Sequence, residues 1–307
     1  MTRQHFIIGT GPTGEATAKL LAQRGDPVTL VNRSGQGTAI AGVQRLALDA
    51  SDSNALRAAT IGAAVIYNCA NPSYTTWPTA WPTLASSILN AAKHAEARLV
   101  TLSNLYGYAP PSKPMVETDP LVTPTIKGQV RAAMWNEAKK AHDAGDVVVT
   151  EARGSDFIGA ELGTAFQMGE RVTGPLKKGK KVYVLGNLDV PHSWTAIADV
   201  AATLVELGAN EKAWGRAWHI PTAEPLTQRQ IINRLADIAG VGRASVSSAP
   251  KLMLKLMALF QPTIRELDEI MYQFEEPFVV DSQAAQDTFG LQPTPIEESL
   301  RLTIGKM

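Results

Sequence analysis

The sequence has little cysteine, no net charge and no long apolar run. Its single cysteine, Cys69, excludes an internal disulfide. The 29 Lys and Arg residues equal the 29 Asp and Glu residues, so no polyanion such as a nucleic acid is indicated as a partner. No apolar run approaches the roughly 18 residues of a membrane span, and the first strand begins too early for a secretory signal. We therefore expect no membrane partner and a cytoplasmic location.

Metal-ligand spacing is missing as well. The five histidines form no pattern with cysteines or acids, so no metal site is expected. What the chain does have is size and apolar content, because 45% of its 307 residues are hydrophobic. These values indicate a globular protein with a large buried core.

Apolar strand segments alternate with helical stretches in the first half of the chain. Strands are predicted at residues 5–8, 27–31, 43–47, 64–68, 98–102 and 147–152, with helices at residues 14–24, 53–61, 81–93 and 128–144. This alternation predicts an α/β fold with a doubly wound parallel sheet of Rossmann type. We assign residues 1–155 to a nucleotide-binding domain. Residues 156–307, with shorter mixed elements, are assigned mainly to a smaller C-terminal substrate lobe, with some segments returning to the first domain.

Three glycines, Gly9, Gly11 and Gly14, follow the first apolar strand and precede a helical segment. In a strand-turn-helix unit the first glycine permits a tight bend, the second lets the backbone approach a pyrophosphate, and the third allows close helix packing. The free N–H groups of the helix N-terminus then face the phosphates. The motif predicts a dinucleotide site that includes Thr13.

The end of the second strand indicates which dinucleotide binds. NAD sites carry an acid here for the ribose hydroxyls, whereas this chain has Asn32, followed by Arg33 and Ser34. A guanidinium and a hydroxyl suit a 2′-phosphate, so NADP(H) is favoured; a solvated loop arginine is the alternative. Asp49, after the third strand, either accepts from the adenine amino group or caps the next helix.

Further motifs extend along nearly the whole chain. They are Asn68–Pro72, Thr101–Gly107, Arg153–Gly159, Pro191–Trp194 with Asp199–Ala201, Phe278–Asp281 and Phe289–Pro293. Together with the glycine motif and Asp49, they resemble an extended short-chain dehydrogenase/reductase of the NAD-dependent epimerase/dehydratase type. The resemblance implies a cofactor contact at Ala70.

One position departs from that resemblance. The family carries Tyr-x-x-x-Lys at the start of the helix after the fifth strand, and this chain has Lys127 and Arg131 there. A Lys-x-x-x-Arg run resembles the atypical branch of isoflavone reductases and phenylcoumaran benzylic ether reductases, in which a lysine is the general acid or base. Residues four apart share a helix face, so Lys127 and Arg131 are both expected to face the cleft. An exposed basic helix start is the alternative.

Three residues after the fifth strand are weaker candidates. Ser103 lies at a strand's carboxyl end, where α/β sheets bind ligands, and either holds a substrate oxygen or caps a loop. Tyr106 is a second candidate for the proton donor, although in the resembled family this tyrosine is a loop residue. Asn104 either orients the substrate or stabilises the turn.

Aromatic residues outline a substrate cleft. Tyr74 and Trp77 follow the fourth strand, while Phe157, His192 and Trp194 belong to segments expected to face it. An apolar or aromatic small-molecule substrate follows, although aromatic residues are more often core.

The function expected from these observations is NADPH-dependent reduction of a carbonyl, enone or related electrophile, with Lys127 and Arg131 assisting the developing oxyanion. Two alternatives stay open. One is a nucleotide-sugar epimerase or dehydratase, and the other is a non-catalytic regulator that senses NADP. Related folds also suggest a homodimer.

Overall fold

The computed structural model describes residues 4–164 and 166–305. Its strands are β1 (Gln4–Ile8), β2 (Val28–Asn32), β3 (Val43–Ala47), β4 (Ala63–Asn68), β5 (Arg98–Ser103), β6 (Val149–Arg153), β7 (Asp156–Ile158), β8 (Val182–Val184), β9 (Trp194–Ala196), β10 (Ala217–His219) and β11 (Val246–Ser248). Within these described residues one seven-stranded sheet has the order β10-β6-β5-β4-β1-β2-β3. All its neighbouring strands are parallel. The predicted parallel α/β sheet is confirmed.

The helices are α1 (Pro12–Gln23), α2 (Ser53–Ala59), α3 (Trp77–His94), α4 (Ile126–Asp143), α5 (Glu170–Lys177), α6 (Ile197–Ala209), α7 (Gln228–Ala239), α8 (Lys251–Phe260), α9 (Pro262–Arg265), α10 (Tyr272–Glu275), α11 (Gln283–Phe289) and α12 (Ile296–Ile304). They cover both faces of the sheet. Leu21 of α1 and Leu204 of α6 pack into one core. Leu56 of α2 and Ile88 of α3 pack into the other. Two apolar layers around one sheet are the doubly wound arrangement.

Segments after residue 155 divide between the two parts of the molecule. Helix α6 joins the first core, and β10 extends the main sheet beside β6. By contrast, α5, α7 and α12 form a separate core that includes Val172, Leu235 and Leu300. Strand β10 was not predicted, because three residues carry too little periodicity to be recognised. The substrate lobe therefore lies beside the carboxyl edge of the sheet without a continuous stretch of sequence of its own.

Candidate active site

The glycine turn after β1 is packed tightly on one side and open on the other. Gly9 has a φ of +106°, and a Cβ there would lie 2.6 Å from the Cys69 carbonyl carbon. A Cβ on Gly14 would lie 2.0 Å from the Gly9 oxygen, whereas one on Gly11 would meet no atom within 4 Å. The sequence needs glycine at Gly9 and Gly14 for packing, and at Gly11 the missing side chain leaves open space.

The N-terminus of α1 borders that space. Gly11 is its N-cap, Pro12 begins the helix, and no side chain caps it. The first N–H groups of such a helix have no intrahelical partner, and together with the open side of Gly11 they form a cradle for a negatively charged group. The residues present therefore fit the pyrophosphate of a dinucleotide.

The residues predicted to distinguish NADP(H) from NAD(H) lie at the surface, at the end of β2. Asn32 braces this loop: its Nδ2 donates to Thr10 Oγ1 at 2.8 Å, and its Oδ1 accepts from the Gly35 N–H at 2.6 Å. Arg33 and Ser34 are exposed beside it. Asn32 is thus a structural part of the loop, and Arg33 and Ser34 are the groups left accessible to a ligand.

Asp49 is not the cap of the next helix. Its Oδ1 accepts from the Ser51 hydroxyl at 2.7 Å and from the Ser51 N–H at 3.0 Å, while Asp52 caps α2. These hydrogen bonds from Ser51 lower the pKa of Asp49, and the charge of Arg33 adds to the shift. The carboxylate of Asp49 therefore lies within electrostatic range of the Arg33 guanidinium.

A cleft of about 490 Å³ opens between the glycine turn, the strand ends and the lobe. Nine of the predicted site residues line it, namely Gly11, Thr13, Ala70, Tyr74, Ser103, Asn104, Tyr106, Arg131 and Phe157. Trp77, Trp194 and His192 do not, because they are at most 1% exposed and pack behind its walls. The expectation that these three residues face the substrate is therefore wrong. Asp156, Phe166 and Arg171 line the cleft and were not predicted.

Two phenols meet inside this cleft. The hydroxyls of Tyr74 and Tyr106 are 2.8 Å apart, and Asn104 fixes the turn by accepting the Tyr106 N–H at 3.2 Å. Burial raises the pKa of Tyr74 and raises that of Tyr106 well above 10.0. Both phenols consequently stay protonated and can donate hydrogen bonds. The Ser103 hydroxyl also lines the cleft.

Arg131 is buried between two indole rings. Its Cζ lies 4.7 Å from the Trp77 ring centre and 4.4 Å from that of Trp81. Its Nε and Nη1 are buried and have no hydrogen-bond partner among the described residues. Burial lowers the pKa of Arg131 to about 10, and its charge in turn partly opposes the rise in the Tyr74 pKa. Arg131 thus brings a positive charge to the phenol pair, as expected for a residue that faces the cleft.

Lys127 does not share that position. Its side chain is 2% exposed, and its Nζ lies 2.6 Å from Glu266 Oε2 and 2.5 Å from Glu269 Oε1. Glu269 also accepts the Ile126 N–H at 2.7 Å. Lys127 is absent from the cleft lining, so the expectation that it faces the cleft beside Arg131 is wrong. The reason is long-range, because the carboxylates of Glu266 and Glu269, more than a hundred residues away in the chain, hold the ammonium behind the cleft wall, 5.5 Å from the centre of the Tyr74 ring.

These ion pairs fix a stretch that we call the cap segment, residues 266–273. Leu267 and Gln273 of the cap segment line the cleft. Ile270 packs with Trp77 and Trp81 against Tyr106. Lys127 therefore helps to hold the cleft wall in place by binding the cap segment. Nothing in the sequence around Lys127 predicted these ion pairs.

On the lobe side, Asp156 pairs with the buried His192. His192 Nε2 lies 2.9 Å from Asp156 Oδ2, and its Nδ1 lies 3.0 Å from the Gln273 carbonyl oxygen. Asp156 belongs to the quoted segment Arg153–Gly159, which was the one sequence signal for it. Arg171 carried no such signal, because it lies in a segment without a motif.

Residues 4–164 and 166–305 contain no cluster of three or more His, Cys, Asp or Glu side chains arranged to hold a metal ion. In the same residues no helix combines the length and the apolar character needed to cross a membrane.

The glycine turn, the uncapped helix and the cleft at the carboxyl ends of parallel strands define a dinucleotide-binding protein of Rossmann type. More narrowly, the chain belongs to the NAD-dependent epimerase/dehydratase family, whose sequence profile matches residues 6–220. This is a family of NAD-dependent enzymes, and the match confirms the resemblance to extended short-chain dehydrogenases/reductases. No curated protein matches the chain in sequence.

Solved structures share the whole fold at low sequence identity. The dTDP-glucose 4,6-dehydratase of Bacillus anthracis, in complex with NAD, has a TM-score of 0.80 at 13% identity, over 98% of this chain and 95% of that one. The UDP-glucose 4-epimerase of Thermus thermophilus, also with NAD, has a TM-score of 0.77 at 17% identity, over 98% and 97%. A UDP-glucuronic acid 4-epimerase of Bacillus cereus has a TM-score of 0.80 at 15% identity, over 98% of each chain. At these identities the likeness establishes the fold.

Proposed function

We propose that this chain is an NADP(H)-dependent oxidoreductase that reduces a carbonyl, enone or related electrophile on a small, apolar or aromatic substrate. The observation that carries the proposal is a single cleft that joins the turn at Gly11 and Thr13 to the hydroxyls of Ser103 and Tyr106. In α/β sheets ligands bind at the carboxyl ends of strands, and both features lie there. The cofactor and a polarised substrate oxygen can thus share one site.

The preference for NADP(H) rests on the end of β2. No carboxylate stands at Asn32 to repel a 2′-phosphate, and the exposed Arg33 offers a permanently charged fork with a hydroxyl beside it at Ser34. Asp49 lies near enough to feel the charge of Arg33. Arg33 and Ser34 favour an adenosine that carries a phosphate, while Asp49 would accept a hydrogen bond from the adenine amino group.

When bound, the nicotinamide supplies the hydride. The chain's own part is to stabilise the negative charge that develops on the substrate oxygen. Tyr106 stays protonated, so its hydroxyl can donate to that oxygen, and Tyr74 can replace the proton through the 2.8 Å contact between the two hydroxyls. Ser103 is a second donor, and Arg131 adds a positive charge nearby. Lys127 acts indirectly, through the cap segment.

The cofactor half of the proposal is tested by titrating the protein with NADPH and with NADH while following tryptophan fluorescence. We expect tight NADPH binding that weakens by about tenfold or more in Arg33→Ala, because a charge-assisted bidentate contact is lost. NADH binding should not change. Arg24→Ala, which removes an exposed arginine at the far end of α1, is the matched control. Equal affinity of the wild type for both nucleotides would refute the NADP(H) preference.

The catalytic half is tested by following NADPH oxidation with a panel of aromatic aldehydes, ketones and enones. Tyr106→Phe should lower kcat by about a hundredfold, the usual contribution of a positioned proton donor. Thr79→Ala, an exposed position on α3, should retain full turnover. Tight cofactor binding without turnover on any substrate would favour a non-catalytic NADP sensor.

Family membership favours a second candidate, a nucleotide-sugar epimerase or dehydratase. The dehydratase and epimerases with the same fold act on or bind such sugars, as their names state. Against it stands Lys127 at the position of the usual tyrosine. Incubation with NAD⁺ and UDP-glucose or dTDP-glucose, followed by chromatography of the sugars, separates the candidates, because conversion of either sugar would favour this one over the reductase.

A further inference from the structure

Three charged residues line the cleft, two of them cationic and one anionic. They are Arg131, Asp156 and Arg171. Arg131 lies beside the phenol pair, at the Rossmann side, whereas Asp156 and Arg171 belong to β7 and α5. The question on the lobe side is whether Asp156 neutralises Arg171 or is already neutralised by another group.

The hydrogen-bond partners of His192 show that Asp156 is already neutralised. Its Nδ1 faces the Gln273 carbonyl oxygen, which only accepts, so Nδ1 carries a hydrogen. Its Nε2 faces Asp156 Oδ2, and a neutral imidazole would then present a lone pair to a carboxylate. One further proton must therefore lie between Nε2 and Oδ2. Either an imidazolium faces a carboxylate, or an imidazole faces a carboxylic acid.

Both states leave the Asp156–His192 pair with no net charge. A second buried histidine shows that this is not a general property of the fold. His219 Nδ1 also faces a carbonyl oxygen, that of Asp281, but its Nε2 faces the hydroxyl of Tyr108 at 2.8 Å. A hydroxyl can donate, so His219 is satisfied as a neutral ring. The Asp156–His192 pair needs the additional proton because the second partner of the His192 ring is an acid.

Arg171 is consequently left without a directly paired counter-ion, although the charge of Asp156 lies near enough to act on it. It makes no hydrogen bond and no ion pair within the described residues. Arg171 is an exposed residue that lines the cleft. Partial burial lowers the pKa of its guanidinium, and the charge of Asp156 only partly opposes the shift. A guanidinium that is partly desolvated and unpaired is stabilised by any anion that reaches it.

The surroundings of Arg171 define which anion fits. The ring centres of Phe157 and Phe166 lie 6.4 Å apart, and both rings line the same cleft as Arg171, as does Phe278. A carboxylate is satisfied by one bidentate guanidinium, whereas a phosphate has three acceptor oxygens and more charge to compensate. The cofactor phosphates are accounted for elsewhere, at the turn around Gly11 and at Arg33. The anion at Arg171 thus belongs to a second ligand with an apolar body.

We propose that Arg171 binds the carboxylate of an apolar or aromatic acid, and that this acid is the substrate of the cleft. The inference rests on the proposed function, since it names the substrate class of the same site. The neutral Asp156–His192 pair leaves the guanidinium free for the ligand. Phe157 and Phe166 flank the apolar body.

The test is a calorimetric titration of the protein, with and without NADP⁺, using cinnamate and cinnamamide as probes. The two have the same skeleton and differ in charge. We expect cinnamate to bind at least tenfold more tightly than the amide, and Arg171→Gln to abolish that difference. Arg171→Lys should retain part of it. Arg243→Gln, at an exposed arginine of the same lobe, should leave both affinities unchanged.

Other outcomes overturn the proposal. Equal binding of acid and amide, no binding of either, or an unchanged preference in Arg171→Gln would each exclude a carboxylate site. Binding of UDP that depends on Arg171, without binding of cinnamate, would assign the guanidinium to a nucleoside diphosphate instead. Arg171-dependent binding of cinnamate without any NADPH turnover would refute the reductase and retain this site. If neutral carbonyls are turned over and Arg171→Gln does not change that turnover, the reductase is retained and the carboxylate site is refuted.

Discussion

The glycine turn after β1 and the start of α4 both carry short motifs, yet only one of them acts where its sequence suggests. In the turn, Gly9 and Gly14 are required by backbone atoms close in sequence or at the end of the adjacent strand, and Gly11 leaves open space. At the start of α4, Lys127 is held by Glu266 and Glu269, from a different part of the chain. A motif whose residues are required by local backbone geometry takes the position that its sequence predicts. A motif made of two side chains takes a position that also depends on the residues that distant segments place beside it.

The largest effect is expected at the glycine turn. Gly14→Ala would place a Cβ 2.0 Å from the Gly9 oxygen, and we expect the free energy of unfolding to fall by about 3 kcal/mol or more because backbone cannot move aside cheaply. Urea unfolding followed by tryptophan fluorescence measures it. A loss below about 1 kcal/mol would show that the turn is less constrained than the glycine motif implies.

Gly11→Ala is the matched control within the same turn. Gly11 has a φ of −72°, which alanine also adopts, and its Cβ would meet no protein atom within 4 Å. Stability should change by less than about 0.5 kcal/mol. NADPH affinity should nevertheless fall tenfold or more, about 1.4 kcal/mol, because the methyl group fills the space left for the pyrophosphate. Unchanged affinity would contradict the cradle.

The second largest effect is expected at the start of α4, where Lys127 is held by its ion pairs. Lys127→Met removes the cation from two carboxylates, which are 30% and 23% exposed. Breaking a buried pair costs about 3 to 5 kcal/mol, and since water reaches these carboxylates we expect about 2 to 3 kcal/mol. Lys127→Arg should recover most of it. Chemical denaturation of the variants provides the measurement.

The exposed pair Lys139–Asp143 on the same helix is the reference for that loss. Lys139→Met should lower the free energy of unfolding by no more than about 0.5 kcal/mol, as is usual for surface pairs. If Lys127→Met costs as little, the cap segment is not held by its ion pairs. If instead Lys127→Arg folds normally but abolishes turnover, Lys127 itself takes part in the chemistry.

The smallest effect concerns His219, whose environment is entirely tertiary. Burial lowers the pKa of His219 below its usual 6.5. The folded state therefore keeps the ring neutral while the unfolded chain takes up a proton below pH 6.5, so stability should be lost as the pH falls from 6.5 towards the folded-state pKa. The slope from this group is at most about 1.4 kcal/mol per pH unit.

Urea unfolding at a series of pH values tests this slope. His219→Gln should flatten the curve below pH 6.5, while the exposed His94→Gln should leave it unchanged. An identical pH dependence in His219→Gln and the wild type would show that the Tyr108–His219 contact does not hold the ring neutral.

Much of the sheet was predictable because it depends on local pattern. The six predicted strands lie within two residues of β1 to β6, since short segments that carry apolar residues between turns mark strands even where, as in β3, the strand is at the edge of the sheet. The aromatic residues proposed to line the substrate cleft were predicted less well. Trp77 and Trp194 are core, and aromatic content alone does not distinguish a cleft wall from the packing behind it.

The sequence by itself determined the glycine turn, the parallel sheet and the exposed Arg33, because these depend on backbone geometry and on residues adjacent in the chain. Only the tertiary structure decided that Lys127 faces Glu266 and Glu269 and that Arg171 lines the cleft. It also decided that Asp156 is paired with the buried His192. Charged side chains take their protonation and their partners from whatever lies within a few ångströms, and in this fold those neighbours come from distant segments.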